Sequence, residues 1–154
     1  MALLDIISIS IGALYIIPII LYDITNNSRH LLALCGLLAI TCISEFIKYN
    51  MIGELSIRPK GAKDCNLLCT DGNCEGKPGM PSSHSAIVSF FVGFYINQTE
   101  NVCIQLILLF YAYLVMLSRH LKRCHTIYQI GTGSALGFAA SFIVLKKTLM
   151  LKDI

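Results

Sequence analysis

Charge is the property that this chain has least of. Only 14% of its 154 residues are Asp, Glu, Lys or Arg, whereas 55% are hydrophobic, and the mean hydropathy is +0.68. So little charge excludes an ordinary soluble domain. The net charge is only +3, and no stripe of basic residues of the kind that binds nucleic acid is present. The composition therefore predicts an integral membrane protein that does not bind nucleic acid.

The first apolar segment lacks the features of a cleavable signal peptide. Residues 1–22 have no basic region at the start, carry Asp5 early, and place Pro18 where a cleavage site would need small residues. We therefore expect this segment to be retained as a helix. Internal repeats and low-complexity tracts are also missing.

Several apolar runs are long enough to cross a membrane, which takes about 20 residues as helix. Five segments qualify or nearly qualify: about 3–22, 30–49, 84–97, 102–118 and 127–145. The third and fourth are short, and the turn at 98–101 joins them. A bilayer of about 27 Å, as in the endoplasmic reticulum, suits short spans. The sequence thus predicts one all-α, multi-pass domain over residues 1–154 with about five transmembrane helices, in the endoplasmic reticulum membrane if the source is eukaryotic.

Five spans place two polar segments on the same side of the membrane. These are the loop 50–83, after the second span, and residues 119–126, between the fourth and fifth. Every polar motif of the chain lies at these points: Arg58-Pro59, Pro81-Ser82-Ser83-His84-Ser85, and Ser118-Arg119 followed six residues later by His125. The topology therefore predicts that the three motifs converge on one site.

The residue types in these motifs suit a phosphate group. Arg58 and Arg119 can each bind two phosphate oxygens through a planar guanidinium that stays charged. Ser82 and Ser83 can cap the helix that begins near His84, which leaves backbone amides and the positive end of the helix dipole facing an anion. No cluster of Asp, Glu and His with metal-ligand spacing accompanies the motifs, so we expect no metal and no cofactor.

The order Arg-Pro, Pro-Ser-Ser-His, Ser-Arg-x5-His resembles the type 2 phosphatidic acid phosphatase superfamily. The flanking residues Gly79-Met80 and His125-Thr126-x-x-Gln129 resemble its dolichyldiphosphatase branch. The resemblance implies a membrane lipid substrate, hydrolysis without a metal, and a phosphohistidine intermediate. It further implies that the substrate is a polyprenyl diphosphate.

The resemblance also assigns roles to the two histidines. His125 corresponds to the nucleophile. His84 corresponds to the general acid that protonates the leaving oxygen and later activates water. The residue that orients the nucleophile is usually an Asp four positions later, and here it is Gln129. Gln recurs at that position in the dolichyldiphosphatase branch, so we interpret it as a mark of that branch.

One cation of the family pattern is missing. The family places Lys seven residues before the Arg of its first motif, where this chain has Met51. Lys48 is the nearest basic residue on that side, rotated by about 80° from Arg58 on an ideal helix, and could reach the site if the segment unwinds near Gly53. Lys60 or Lys63 could substitute instead. Glu45, one turn before Lys48, is expected to pair with it.

Four cysteines are predicted to lie on the face of the site: Cys65, Cys69, Cys74 and Cys124. In an oxidising compartment they could form two disulfides, whose pairing the sequence does not specify. In a reducing compartment they would stay free thiols. A zinc cluster is a third alternative, although C-x3-C-x4-C is not a recognised ligand spacing.

The last apolar segment contains Gly133-x-x-x-Gly137, a pattern that permits close helix approach. The approach could be made within the bundle or in a homo-oligomer.

Three functions are compatible with the sequence. The first is hydrolysis of a polyprenyl diphosphate. The second is a broader lipid phosphomonoesterase acting on phosphatidate-like substrates. The third is a catalytically silent lipid-binding or scaffold protein, which Met51 and Gln129 would favour.

Overall fold

The computed structural model describes residues 3–150, and the fold is helical. The first helical unit, Leu3–Thr25, contains the 3-10 turn Ser10–Gly12. The second unit, Arg29–Ser56, continues through the π turn Ile47–Ile52 into the 3-10 turn Gly53–Ser56. Within 3–150 the only β pairing is two isolated bridges. The helices are α1 (Leu3–Ile9), α2 (Ala13–Thr25), α3 (Arg29–Phe46), α4 (Ser83–Ile96), α5 (Val102–Leu121) and α6 (Ile127–Met150).

All five predicted apolar segments are helical, but they are not equivalent. Four units are long and apolar enough to cross a membrane: Leu3–Thr25, Arg29–Ser56, Val102–Leu121 and Ile127–Lys146. The fifth segment, α4, has only 14 residues. The prediction of a helical membrane bundle is confirmed, and in the described part of the chain four helical units rather than five are long and apolar enough to cross a membrane.

The short helix α4 is the centre of the bundle. Every residue from Ser83 to Phe94 is buried, and α3, α5 and α6 all pack against it. A helix that is apolar on all sides can lie in a protein core or be exposed to lipid, and here neighbouring helices cover it. α4 therefore supplies the core, and the longer helices around it present apolar residues to the outside.

The Gly133-x-x-x-Gly137 pattern is used within the chain. A Cβ atom on Gly137 would collide with the carbonyl oxygen of Ala86, and one on Gly133 with the carbonyl oxygen of Ser82. Both glycines thus allow the backbones of α6 and α4 to approach closely. The pattern is thus used for close approach within the bundle, the first of the two alternatives named above.

The loop between residues 57 and 82 folds over one end of the bundle and is tied to the α5–α6 connection. Cys65 forms a disulfide with Cys124, with a Cα–Cα distance of 5.5 Å, whereas Cys69 and Cys74 are free thiols. The chain therefore has one of the two disulfides that four cysteines would allow. Among residues 3–150, no group of three or more His, Cys, Asp or Glu side chains is placed to hold a metal ion.

Candidate active site

A cavity of about 290 Å³ lies between α2, α3, α4 and the loop. Residues from all the predicted motifs line it: Lys48, Arg58, Ser83, His84 and His125. The structure thus brings together segments separated by up to 77 positions in the sequence. Three other predicted site residues, Ser82, Arg119 and Gln129, lie behind the cavity wall and support residues that form it.

Lys48 lies in the π turn that follows α3, and its side chain lines the cavity. The π turn Ile47–Ile52 changes the helical register here, a distortion often found at functional sites. Lys48 is 3% exposed, and its Nζ donates to Ser83 Oγ at 2.6 Å and to Glu45 Oε1 at 2.7 Å. Met51 is 66% exposed and points away. The expected Glu45–Lys48 pair is confirmed, and Lys48 reaches the cavity because the helix changes register before Gly53.

Arg58 connects the loop to the α5–α6 connection. Its Nη1 donates to the carbonyl oxygen of Cys124 at 3.3 Å and lies 3.5 Å from His125 Nε2. Only a neutral imidazole can present an acceptor nitrogen to a guanidinium. His125 Nε2 thus lies next to a cation that can bind phosphate oxygens.

Gln129 holds His125 and the Arg58 segment in one arrangement. Its Oε1 accepts from the backbone NH of Thr126 at 3.1 Å and lies 3.4 Å from His125 Nδ1. Its Nε2 donates to the carbonyl oxygen of Ile57 at 2.9 Å and to Ser56 Oγ at 3.1 Å. An Asp could offer no donor to these oxygens. The amide therefore connects the histidine to the backbone next to Arg58, which a carboxylate could not do.

Arg119 is completely buried and does not line the cavity. Its Nη1 donates to Ser8 Oγ and its Nη2 to the carbonyl oxygen of Cys65, while Nε has no partner. Sequence reasoning did not identify Ser8. The only signal was polar Asp5 and Ser8, one helical turn apart in an apolar run, and Asp5 pairs with Lys122 at 2.6 Å.

The two serines before His84 have different roles. Ser82 is the N-cap of α4, and its Oγ accepts from Ser85 N at 3.5 Å and from Ser85 Oγ at 3.0 Å. Ser83 does not cap the helix, contrary to the prediction for both serines, because its hydroxyl is held by Lys48 and donates to Glu45. His84 Nε2 is buried and has no partner, so it has a free position for a ligand atom.

The charges at the site favour an anion. Three cations, Lys48, Arg58 and Arg119, stand against two carboxylates, Glu45 and Asp71. Burial raises the pKa of Asp71, but hydrogen bonds from the Cys74 thiol and from backbone amides outweigh it, so the pKa lies below its usual value. The excess of positive charge, together with the unpartnered nitrogens, would be offset by a bound phosphate group.

His125 lies in an environment that keeps it neutral. Burial lowers the pKa of its imidazole well below the ordinary value, and the charges of Arg58, Arg119 and Lys48 lower it further. A neutral imidazole has a free lone pair and can attack phosphorus. The pKa shift therefore favours the nucleophilic form of His125 at neutral pH.

We expect His125 in the free protein to titrate below about pH 6.5, the ordinary histidine pKa. Because its pKa is lowered, the neutral form persists as the pH falls through 6.5 and is lost only at more acidic pH. The groups facing the ring are the cations Lys48, Arg58 and Arg119, together with His84. Imidazole NMR signals in detergent, recorded against pH, would measure this, with the His125→Ala variant used to assign the His125 signal. A His125 midpoint at or above 6.5 would contradict the expectation.

Helices that can cross a membrane, two buried histidines and a cationic cavity at one end of the bundle define a membrane-embedded phosphatase-type protein. Comparison with known families agrees, since residues 29–152 match the PAP2 superfamily. The chain belongs to this superfamily, whose members are phosphatases. Neither the curated proteins nor the solved structures include a match to this chain. The matched region begins at Arg29, so α1 and α2 lie outside it.

Proposed function

We propose that this protein hydrolyses lipid phosphates without a metal, through a phosphohistidine on His125, and that it prefers a polyprenyl diphosphate. The observation that carries the proposal is the position of His125, whose Nε2 lies 3.5 Å from Arg58 Nη1 and which lines the same cavity as Arg58 and His84. A nucleophile, a phosphate-binding cation and a general acid thus share one space, which is what phosphoryl transfer requires.

The reaction proceeds in two steps. In the first, His125 Nε2 attacks phosphorus, the N–P bond forms, and the P–O bond to the lipid breaks. In the complex the negative phosphate offsets the charges of the neighbouring cations, so His84 is protonated there. It transfers its proton to the departing oxygen, while Arg58 and Lys48 hold the other phosphate oxygens. In the second, His84 takes a proton from water, the resulting hydroxide attacks phosphorus, and the P–N bond breaks. Phosphate leaves and both histidines return to their starting forms.

The preference for a diphosphate rests on the leaving group. Cleaving a diphosphate expels a phosphate monoester, which is a better leaving group than the alkoxide expelled from a monoester. The neutral amide of Gln129 supports His125 through geometry and cannot stabilise an imidazolium as a carboxylate does. A substrate with a good leaving group requires less of that stabilisation. The sequence resemblance to the dolichyldiphosphatase branch supports the same substrate.

A broader phosphomonoesterase acting on phosphatidate is the second candidate. It would need the same histidines and arginines, so the site geometry accommodates it. A silent scaffold is the least supported of the three functions. Lys48 lines the cavity although position 51 is a methionine, and Gln129 is hydrogen-bonded through both its oxygen and its nitrogen.

The test compares substrates with purified protein in detergent and a chelator present. We expect kcat/KM for a polyprenyl diphosphate to exceed that for the matching monophosphate and for phosphatidate by at least about tenfold, or 1.4 kcal/mol in transition-state free energy. Equal or better turnover of phosphatidate would support the second candidate. Lipid binding without any turnover would support the scaffold. A strict requirement for a divalent metal would contradict the mechanism.

A further inference from the structure

The cavity continues past the histidines into the bundle. Beyond His84 it is lined by Ile87, one turn further along α4, and it ends at Thr41 on α3 and Tyr15 on α2. Thr41 lies seven residues before Lys48, which is about 10 Å along an ideal helix. One cavity thus has an outer half lined by charged side chains and an inner half that lies between α2, α3 and α4.

The inner half offers no free hydrogen-bond donor from these three residues. Thr41 Oγ1 donates to the carbonyl oxygen of Leu37 at 2.8 Å, so its only hydrogen is used. Tyr15 Oη lies 2.5 Å from Thr41 Oγ1 and must therefore be the donor of that hydrogen bond. Ile87 is apolar. A ligand in the inner half meets a tyrosine ring, a threonine methyl group and an isoleucine side chain.

This arrangement discriminates between kinds of lipid. An ester carbonyl placed there would lose its hydrogen bonds to water and gain none, which disfavours its binding. A hydrocarbon chain loses nothing and gains by leaving water. The chemistry of the subsite therefore fits a chain joined to the phosphate oxygen through carbon alone.

The proposed reaction places the leaving group at the same position. His84 protonates the oxygen that leaves with the lipid, so the lipid lies on the His84 side of phosphorus and away from His125. Ile87 follows His84 on the inward side of the helix. In a diphosphate the phosphate that carries the chain leaves on this side and lies next to His84, and the first carbons of the lipid follow it into the inner half of the cavity.

We propose that Tyr15, Thr41 and Ile87 form a subsite for the first carbons of an isoprenoid-type chain, which is joined to the phosphate without an ester carbonyl nearby. In this proposal α2 contributes to the specificity through Tyr15, although α2 lies outside the residues that match the superfamily. The inference rests on the proposed function and names its substrate class. It also assigns a role to Tyr15, a residue that the motifs do not reach.

The first test is the substitution Thr41→Phe, which fills the subsite with a larger side chain. We expect kcat/KM for a long-chain polyprenyl diphosphate to fall at least tenfold, with turnover of phenyl phosphate, a small soluble ester, changed less than twofold. The matched control is Leu38→Phe, the same change on the same helix at a residue that is 53% exposed, and both substrates should be unaffected. An equal loss for both substrates, or no loss for the long chain, would overturn the proposal.

The second test does not depend on turnover. A polyprenyl diphosphate carrying a photoreactive diazirine on its first isoprene unit is bound to the His125→Ala protein and irradiated. We expect the label on peptides containing Tyr15, Thr41 or Ile87. A second cavity reaches the other side of His125 past Ile127 and Tyr128, and labelling there instead would overturn the proposal. If the unmodified protein hydrolyses no lipid phosphate, the proposed function fails, whereas the labelled position still decides the subsite.

Discussion

Replacing His125 by alanine is expected to reduce hydrolysis of every lipid phosphate by at least about a thousandfold, the scale seen when a nucleophile is removed. The ring is 2% exposed, its Nε2 faces the cavity, and no other side chain of the described chain is placed beside Arg58 in the same way. Steady-state turnover in detergent measures the loss. The thermal midpoint, measured in parallel, should show that the variant still folds.

Two comparisons make the His125 result specific. His120→Ala, which changes an exposed histidine five residues earlier in the chain, should retain turnover within about twofold, as is usual for surface changes. Rapid quenching with labelled substrate should leave acid-labile phosphate on the parent protein and none on His125→Ala. Residual activity within tenfold of the parent would rule out His125 as the nucleophile.

Replacing Lys48 by methionine is expected to lower kcat by about a hundredfold, the scale of losing one preorganised donor to a developing charge. Lys48 is the only cation that α3 contributes to the cavity lining, and its Nζ is held by Glu45 and Ser83. Met51→Lys should change activity less than twofold, because that side chain is 66% exposed. The double variant Lys48→Met with Met51→Lys should therefore remain as impaired as Lys48→Met alone.

Lys60→Met is the control for the alternative source of the cation. Lys60 is exposed and lines the second cavity, on the other side of His125, so its loss should have little effect on kcat. Removal of Lys48 also leaves Glu45 without its ion pair, and the thermal midpoint of Lys48→Met separates that destabilisation from a catalytic loss. Severe loss in Lys60→Met with normal activity in Lys48→Met would transfer the role to the loop.

The sequence was sufficient for the membrane helices and for the side of the bundle on which the motifs meet. Hydropathy depends on composition over a window, so it locates apolar helices reliably. It does not distinguish lipid from protein as the surroundings of a helix, so it did not show that neighbouring helices enclose α4 on all sides. Its length of 14 residues was the available signal.

The site was predicted in its motifs but not in its geometry. On an ideal helix Lys48 is out of register with Arg58, but the helix changes register at the π turn Ile47–Ile52 and ends before Arg58, and both side chains line the cavity. Ser83 was expected to cap α4, but it is bound by Lys48 and Glu45 from α3. Both outcomes depend on tertiary contacts, which local sequence patterns do not specify.

The contacts of the N-terminal helices could be predicted from the sequence even less well. Ser8 holds Arg119 across 111 positions of sequence, and Tyr15 closes the inner end of the cavity. A serine and a tyrosine in an apolar helix are ordinary residues, and no motif marks them. Only the packing of α1 against α5 and of α2 against α3 reveals what they contact.

The complete enclosure of α4 predicts how the chain tolerates change. On α5, Leu106 and Ile107 are at least 60% exposed, and one aliphatic side chain can replace another there because lipid adapts to either. On α4, any change of volume alters packing against protein, and cores respond to a single methylene group. In a library of random substitutions, tolerated changes should recur with the helical period along α5 and be scarce along α4, with no period at all.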